Sequence, residues 1–168
     1  MMWSREEDMT HDFYHPLAVA KMTAGMDSNG NITGMHIKVA GPSIRATLFP
    51  LALKDNKDVF QMQGLYGEPD DAQLGYTFPN LLTEYVMKNT HVPVGHWRGV
   101  NTNQNAIFME CFIDECAKSV GKDPLAFRQA MMQKHPRHLG VLNAAAKKAN
   151  WDKPTPSGSH RGIAQFMG

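Results

Sequence analysis

Val94-Gly95-His96-Trp97-Arg98-Gly99-Val100-Asn101-Thr102-Asn103-Gln104-Asn105 runs directly into an apolar periodicity that extends from Ala106 to Val120. Glycines, a tryptophan, an arginine and a run of amides therefore gather where a helix begins. Uncovered backbone N–H groups at such a point suit an anion or a polar ligand, and a binding loop is built this way. The plainer alternative is structural: Thr102 or Asn103 caps the helix and Trp97 packs into the core. Composition alone leaves both readings open.

Working outward, Glu110, Asp114 and Lys118 recur at helical spacing, with Glu115, Ser119 and Lys122 beside them and apolar residues elsewhere. That pattern predicts a helix buried over most of its circumference. Glu110 is expected in its first turn, where the dipole favours a carboxylate that can fold back onto the loop; a simple charge on the polar stripe explains it equally well. Gly121 suits the residue after the helix. Asp123-Pro124 then restarts one with N-cap and N1 chemistry, carrying Leu125, Phe127, Arg128, Met131 and Met132 as far as Pro136. A third helix is expected from His138 to Asn150, followed by a Pro/Ser/Gly linker, 152–159, and a strand-like 161–166.

Upstream of the loop, Trp3 to Tyr14 has no clear period and reads as an extended arm. Lys21 to Ala40 predicts an antiparallel hairpin about the turn Asp27-Ser28-Asn29-Gly30-Asn31, closed by Gly41-Pro42-Ser43. Residues 44–78, interrupted by Pro50 and Pro69, read as a long irregular connection with one short helix. Leu81 to Lys88 alternates as a strand whose Leu81, Thr83, Tyr85 and Met87 face is the better core candidate. The fold class is therefore α+β: an N-terminal hairpin and strands followed by three helices. The expected divisions are a β-rich 1–92 with the irregular connection, 93–150 with the loop and helices, and 151–168 with linker and strand.

The 168 residues suffice for one domain with a real core, and 42% hydrophobic with 20% charged content is that of an ordinary globular chain. Seventeen basic against sixteen acidic residues leave a formal charge of +1, which gives no footprint for nucleic acid and no polybasic membrane patch. No apolar run approaches the roughly 20 residues that span a bilayer, and the charged N-terminus lacks a signal-peptide core. Cys111 and Cys116 on one helix point about 140° apart around its axis, too divergent for a disulfide or a shared metal, and read as small buried hydrophobes.

Phosphate-loop, nucleophile-elbow and zinc-binding spacings are absent, and Gly25 with Gly30 lies in a hairpin rather than between strand and helix. The histidines are scattered. His11 with His15 is the sole i, i+4 pair and reads as surface; His135 and His138 flank Pro136 and are expected to interact with helix ends. The helices joined by Gly121-Lys122-Asp123 invite a helix-turn-helix reading, but Arg128, Gln129, Gln133 and Lys134 are few contacts on a nearly neutral chain.

Taken together, Pro93 to Val100, the polar Asn101 to Asn105, Phe108-Met109-Glu110-Cys111-Phe112-Ile113-Asp114-Glu115 and Gly121-Lys122-Asp123-Pro124-Leu125-Ala126-Phe127-Arg128 resemble the molybdenum-binding large subunit of the xanthine dehydrogenase and aldehyde oxidase family. The similarity is closest to its isoquinoline oxidoreductase-like branch. Arg5-Glu6-Glu7-Asp8-Met9, His11-Asp12-Phe13-Tyr14, Phe78-Pro79-Asn80 and Arg161-Gly162-Ile163-Ala164 extend it, in order, over essentially the whole chain.

The resemblance implies a partial molybdopterin-binding domain. Its parent enzyme hydroxylates N-heterocycles or aldehydes with water as oxygen source and passes electrons to a small [2Fe-2S] subunit, in some members with a cytochrome besides. It implies that Arg98 and Gly99 hold the cofactor, molybdopterin in its cytosine dinucleotide form, and that Trp97 and Val100 line the substrate pocket, although Val100 is not aromatic as the family's residue is. A pterin with phosphates wants N–H donors, close approach at glycine and a planar cation, and a flat substrate wants an apolar wall; this loop offers each.

The family's upstream glutamine-containing loop and its downstream catalytic glutamate have no counterpart, nor is there a cysteine set for an iron–sulfur cluster. No catalytic or metal-ligating residue is therefore assigned. The expectation is an interior fragment, with Met1 inside the family's alignment, that is inert alone and partnered by the rest of the large subunit. A stand-alone binding or scaffold domain is the alternative. A bacterial source is implied, periplasmic or cytoplasmic, with any export signal upstream of Met1.

Overall fold

The computed structural model describes residues 1–66 and 74–166. The expectation of an irregular connection through 67–73 lies outside the described residues. Ser4 opens helix α1 (Arg5–Thr10) by accepting from the Glu7 N–H, and Glu6, Glu7 and Asp8 fill its first turn. Acidic residues at a helix N-terminus favour the helix over the extended arm that the sequence suggested.

Strands β1 (Val19–Met26) and β2 (Ile32–Gly41) form the expected hairpin, with Val19 opposite Ala40 and Ala24 opposite Met35. Asp27 builds the turn: one carboxylate oxygen accepts from the N–H of Asn29 at 2.9 Å and of Asn31 at 2.8 Å. Ser43 caps the short helix α2 (Ile44–Leu48), and single 3-10 turns follow at Pro50–Ala52 and Val59–Met62. Strand β3 (Leu81–Met87) then joins β2 in parallel, giving a three-stranded sheet in the order β1-β2-β3. A parallel pair requires a crossover, and the chain between β2 and β3 supplies it.

Three helices complete the α+β architecture: α3 (Thr102–Ser119), α4 (Pro124–Met131) and α5 (Pro136–Lys148). Met109, Ile113, Cys116 and Ala117 of α3 share one stripe and meet Met35, Ile37 and Val39 from the inner face of β2, with Phe127, Met132 and Leu142 closing the core. Of β3, Leu81 and Tyr85 pack against it, as the alternation predicted. Gly121 takes a φ of 65° at the end of α3, and Asp123 caps α4 through the Ala126 N–H.

Several expectations are corrected. Cys111 is exposed while Cys116 is buried. Ile107, at 63% exposure, lies with Cys111 on an outward face of α3, so less of its circumference is covered than the apolar count suggested. The segment after α5 forms no strand among the described residues. Arg161 stacks 5.3 Å over Trp151 and donates to the carbonyls of Ala149, Asn150, Trp151 and Lys153, so its chain serves to close the C-terminus of α5. Among the described residues no helix is long and apolar enough to cross a membrane.

Candidate functional site: the loop before the long helix

The loop is anchored at one end by the N-terminal arm. The Tyr14 N–H donates to the Pro93 carbonyl at 2.9 Å and the Gly95 N–H to the Tyr14 carbonyl at 3.0 Å, a short parallel bridge. Gly95 is required there, because a Cβ would stand 2.5 Å from Cβ of Phe13. Val94 and Gly95 are buried, and His96 to Gly99 emerge into solvent.

A tight turn follows. The Val100 N–H donates to the Trp97 carbonyl at 2.8 Å, and Gly99 takes a φ of 80°. Val100 is left-handed as well, at a φ of 48°. For a β-branched residue this conformation costs about 1–3 kcal/mol and persists only where its surroundings impose it. The Thr102 hydroxyl and N–H both donate to the Gly99 carbonyl, and the Asn103 amide donates to the Arg98 carbonyl at 2.6 Å.

Neither Thr102 nor Asn103 therefore caps the helix. The helix begins at Thr102 rather than Ala106, and its N-cap position, Asn101, makes no side-chain cap. The Asn101 amide instead donates to the Phe60 carbonyl at 3.0 Å, and that of Asn105 to the carbonyls of Gln61 and Gln63, each at 2.9 Å. The amide run that looked like capping chemistry ties α3 to the 3-10 turn before Gln63.

Of the residues singled out, Trp97 does not enter the core. It is 63% exposed and meets His15 edge-on, with ring centroids 6.2 Å apart. Arg98 is exposed, and among the described residues its guanidinium has no partner. Val100 is half-buried. Phe13, Tyr14 and Phe49, each more than half exposed, lie on the same side through the Gly95–Phe13 and His96–Phe49 contacts, the latter with centroids 6.0 Å apart. Among the described residues, the loop thus combines an unpartnered guanidinium with exposed aromatic side chains, ahead of a helix end that has no side-chain cap.

Glu110 lies deeper than expected, in the body of α3 instead of its first turn. Its Oε2 accepts from Arg128 Nε at 2.9 Å and from the Gln165 N–H at 3.1 Å, and its Oε1 from the Tyr76 hydroxyl at 2.7 Å. Burial raises the Glu110 carboxyl pKa, against the pull of Arg128, and pushes the Tyr76 phenol above its ordinary range. Arg128, weighed as a surface contact, is wholly buried and also donates to Asp114 at 2.6 Å. This cluster is a structural hub away from the loop. Glu110 was marked in the sequence, but nothing there named its partner.

The histidines assemble no metal centre: no group of three His, Cys, Asp or Glu among the described residues could hold an ion. His135 pairs with the Thr77 hydroxyl at 2.8 Å and His138 with Gln165 at 2.6 Å, so they bind the α4–α5 junction to neighbouring segments as well as to each other's rings.

Comparison with known proteins gives the chain its relatives. Residues 1–132 match the family described as molybdopterin cofactor-binding domain. The chain is 25% identical over 159 residues to isoquinoline 1-oxidoreductase subunit beta of Brevundimonas diminuta, an alignment covering 91% of this chain and 19% of that protein. It is 23% identical to the membrane-bound aldehyde dehydrogenase [pyrroloquinoline-quinone] of Gluconacetobacter polyoxogenes, over 100% of this chain and 24% of that one. Quinoline 2-oxidoreductase from Pseudomonas putida 86 shares the fold, with a TM-score of 0.62 at 17% identity over 90% of this chain and 20% of the other. The chain thus spans about a fifth to a quarter of the length of these relatives.

Proposed function

The chain belongs to the molybdopterin cofactor-binding domain family, and from that premise we propose that the loop from Gly95 to Gln104 is one wall of a molybdopterin site in a molybdenum hydroxylase large subunit. The observation that carries the reading is the free Arg98 guanidinium beside the Cβ-less, left-handed Gly99 and the uncapped N-terminus of α3. That donor set fits an anionic, pterin-bearing group: a planar cation and a helix end both favour phosphate oxygens, while the space a Cβ of Gly99 would take is filled by the Asn103 carboxamide.

In this reading Arg98 and Gly99 hold the cofactor, taken in its cytosine dinucleotide form, while Trp97 and the half-buried Val100 border the substrate. When bound, the cofactor supplies the two-electron oxidation of an N-heterocycle or aldehyde carbon, with water as the source of oxygen. The chain's own residues bind, orient and shield. A flat aromatic substrate suits the exposed face of Trp97, and the aliphatic Val100 offers contact without stacking.

Phe13, Tyr14, Phe49 and Trp97 are large apolar side chains left exposed, as surface that a further protein covers would be. The rest of a large subunit is the partner we assign to it, with a small [2Fe-2S] subunit as electron acceptor beyond. The isolated chain is accordingly inert. Molybdenum analysis and a dye-linked assay with an aldehyde and isoquinoline test this: the expected result is neither stoichiometric metal nor turnover, and either one overturns it. Within a complete subunit, Arg98→Ala should lower retained molybdenum at least about tenfold, and unchanged occupancy overturns the cofactor role.

A further inference from the structure

The described non-glycine residues with positive φ are Asp55, Asn56, Val100 and Asn150. Three are of the short polar type that tolerates this backbone, and Val100 is not. Something must impose it. The hydrogen bonds from Val100, Thr102 and Asn103 to the carbonyls of Trp97, Gly99 and Arg98 join the turn to the start of α3, and something must in turn hold that start against the rest of the domain.

Two side chains can. Asn101 and Asn105 are each fully buried, and their carboxamides donate to the main-chain carbonyls of Phe60, Gln61 and Gln63. Asn101 is adjacent to Val100, and Asn105 lies one helical turn further on, so together they clamp the first turn of α3 onto the chain that precedes Gly64. Gln104 joins them, donating to Asn101 Oδ1 at 3.0 Å. The acceptors are main-chain carbonyls, so the clamp is indifferent to the side chains of residues 60–63.

We infer that Asn101 and Asn105 are positioning residues that impose the left-handed backbone of Val100 and thereby aim Arg98 and Trp97 outward. The role toward a cofactor rests on the reading of the loop given above; the clamp itself does not. Either asparagine removed, its bond to the 60–63 segment is lost, the Phe60 carbonyl keeping only the Gln63 N–H, and the turn is free to relax to ordinary backbone.

Hydrogen exchange on the 168-residue chain, followed by mass spectrometry, tests the inference without any cofactor. Asn105→Leu and Asn101→Ala should each speed exchange across 97–104 at least about tenfold, with α4 and α5 protected as before. Adding Val100→Gly to either should restore most of that protection, since glycine accepts the conformation freely. Unchanged exchange in the loop, loosening spread equally through α4 and α5, or no rescue would each overturn it. Should both asparagine variants fail to fold, Val100→Gly alone decides: a raised melting temperature supports an imposed strain, and a lowered one refutes it. Failure of the cofactor reading would show separately, as molybdenum retention indifferent to Arg98→Ala.

Discussion

Nε of Arg128 donates to Oε2 of Glu110 across 2.9 Å, at a guanidinium wholly removed from solvent. The same guanidinium reaches Asp114 and the Glu110 carbonyl, and the same carboxylate holds Tyr76 and the Gln165 amide. Removing one member strands the other's charge in the core. Arg128→Ala is therefore expected to cost about 3–5 kcal/mol, read as a fall in the urea midpoint. Replacing both Arg128 and Glu110 by methionine should recover much of that loss; a single variant as stable as the parent would disprove the account.

Gly99→Ala should destabilise the chain more than Gly121→Ala. Both glycines have positive φ, but a Cβ at Gly99 would stand 2.5 Å from Asn103 Oδ1, whereas nothing lies within 4 Å of one at Gly121. The Gly121 variant bears only the backbone cost of about 1 kcal/mol. Thermal melts of the two, compared directly, check the order.

On the outer face of the sheet, His36 bonds Glu84 at 2.6 Å and Lys38 approaches the same oxygen at 3.7 Å. The His36 hydrogen bond, then the Lys38 charge, hold the Glu84 carboxyl below its ordinary value. A carboxylate lowered on folding adds stability that is present above its unfolded pKa of about 4.3 and is lost as pH falls through the lowered folded value. Wild type should therefore exceed Glu84→Gln in urea midpoint at pH 7, with the gap closing on acidification. A gap that widened toward acid would reverse the assignment.

One thiol should react and one should not. Burial lifts the Cys116 thiol to about 11, and it sits in the core beside Ala117 and Ile113. Cys111 is exposed on α3. Under native conditions a thiol reagent should label Cys111 quickly and Cys116 only on unfolding, as peptide mapping would report.

The elements were legible wherever one local rule decided them. Alternation and Asp27-to-Asn31 turn chemistry marked the hairpin, and Asp123-Pro124 marked the start of α4 to the residue. What failed was long-range, apart from α1, whose Ser4 cap and acidic first turn are a local helix signal that the extended-arm reading passes over. The spacing of Glu110 and Arg128 along the chain carries no sign that they meet, so one read as a helix-end charge and the other as a surface contact. The parallel pairing of β2 with β3 leaves no local trace either. Thr102 and Asn103 looked like capping residues because capping is the usual local use of amides and hydroxyls; here they donate to the carbonyls of Gly99 and Arg98, while Asn101 and Asn105 reach those of Phe60, Gln61 and Gln63, distant in sequence. At the candidate site, the loop's composition and its resemblance to a family were readable in advance. The left-handed Val100 was not, since valine is a poor predictor of that backbone.

The parallel pairing also sets an order of assembly. β1 and β2 meet across a short turn and can close within microseconds, while Met35 can find Leu81 only after the long crossover has been brought to order. Non-local pairing of this kind slows folding, so β3 is the last strand to arrive. Until it does, the outer edge of β2 has a full row of unpaired N–H and C=O groups beside the apolar Ile37 and Val39. That late, open edge is where chains would join to one another during expression, and refolding at low concentration is the condition under which this protein should be recovered best.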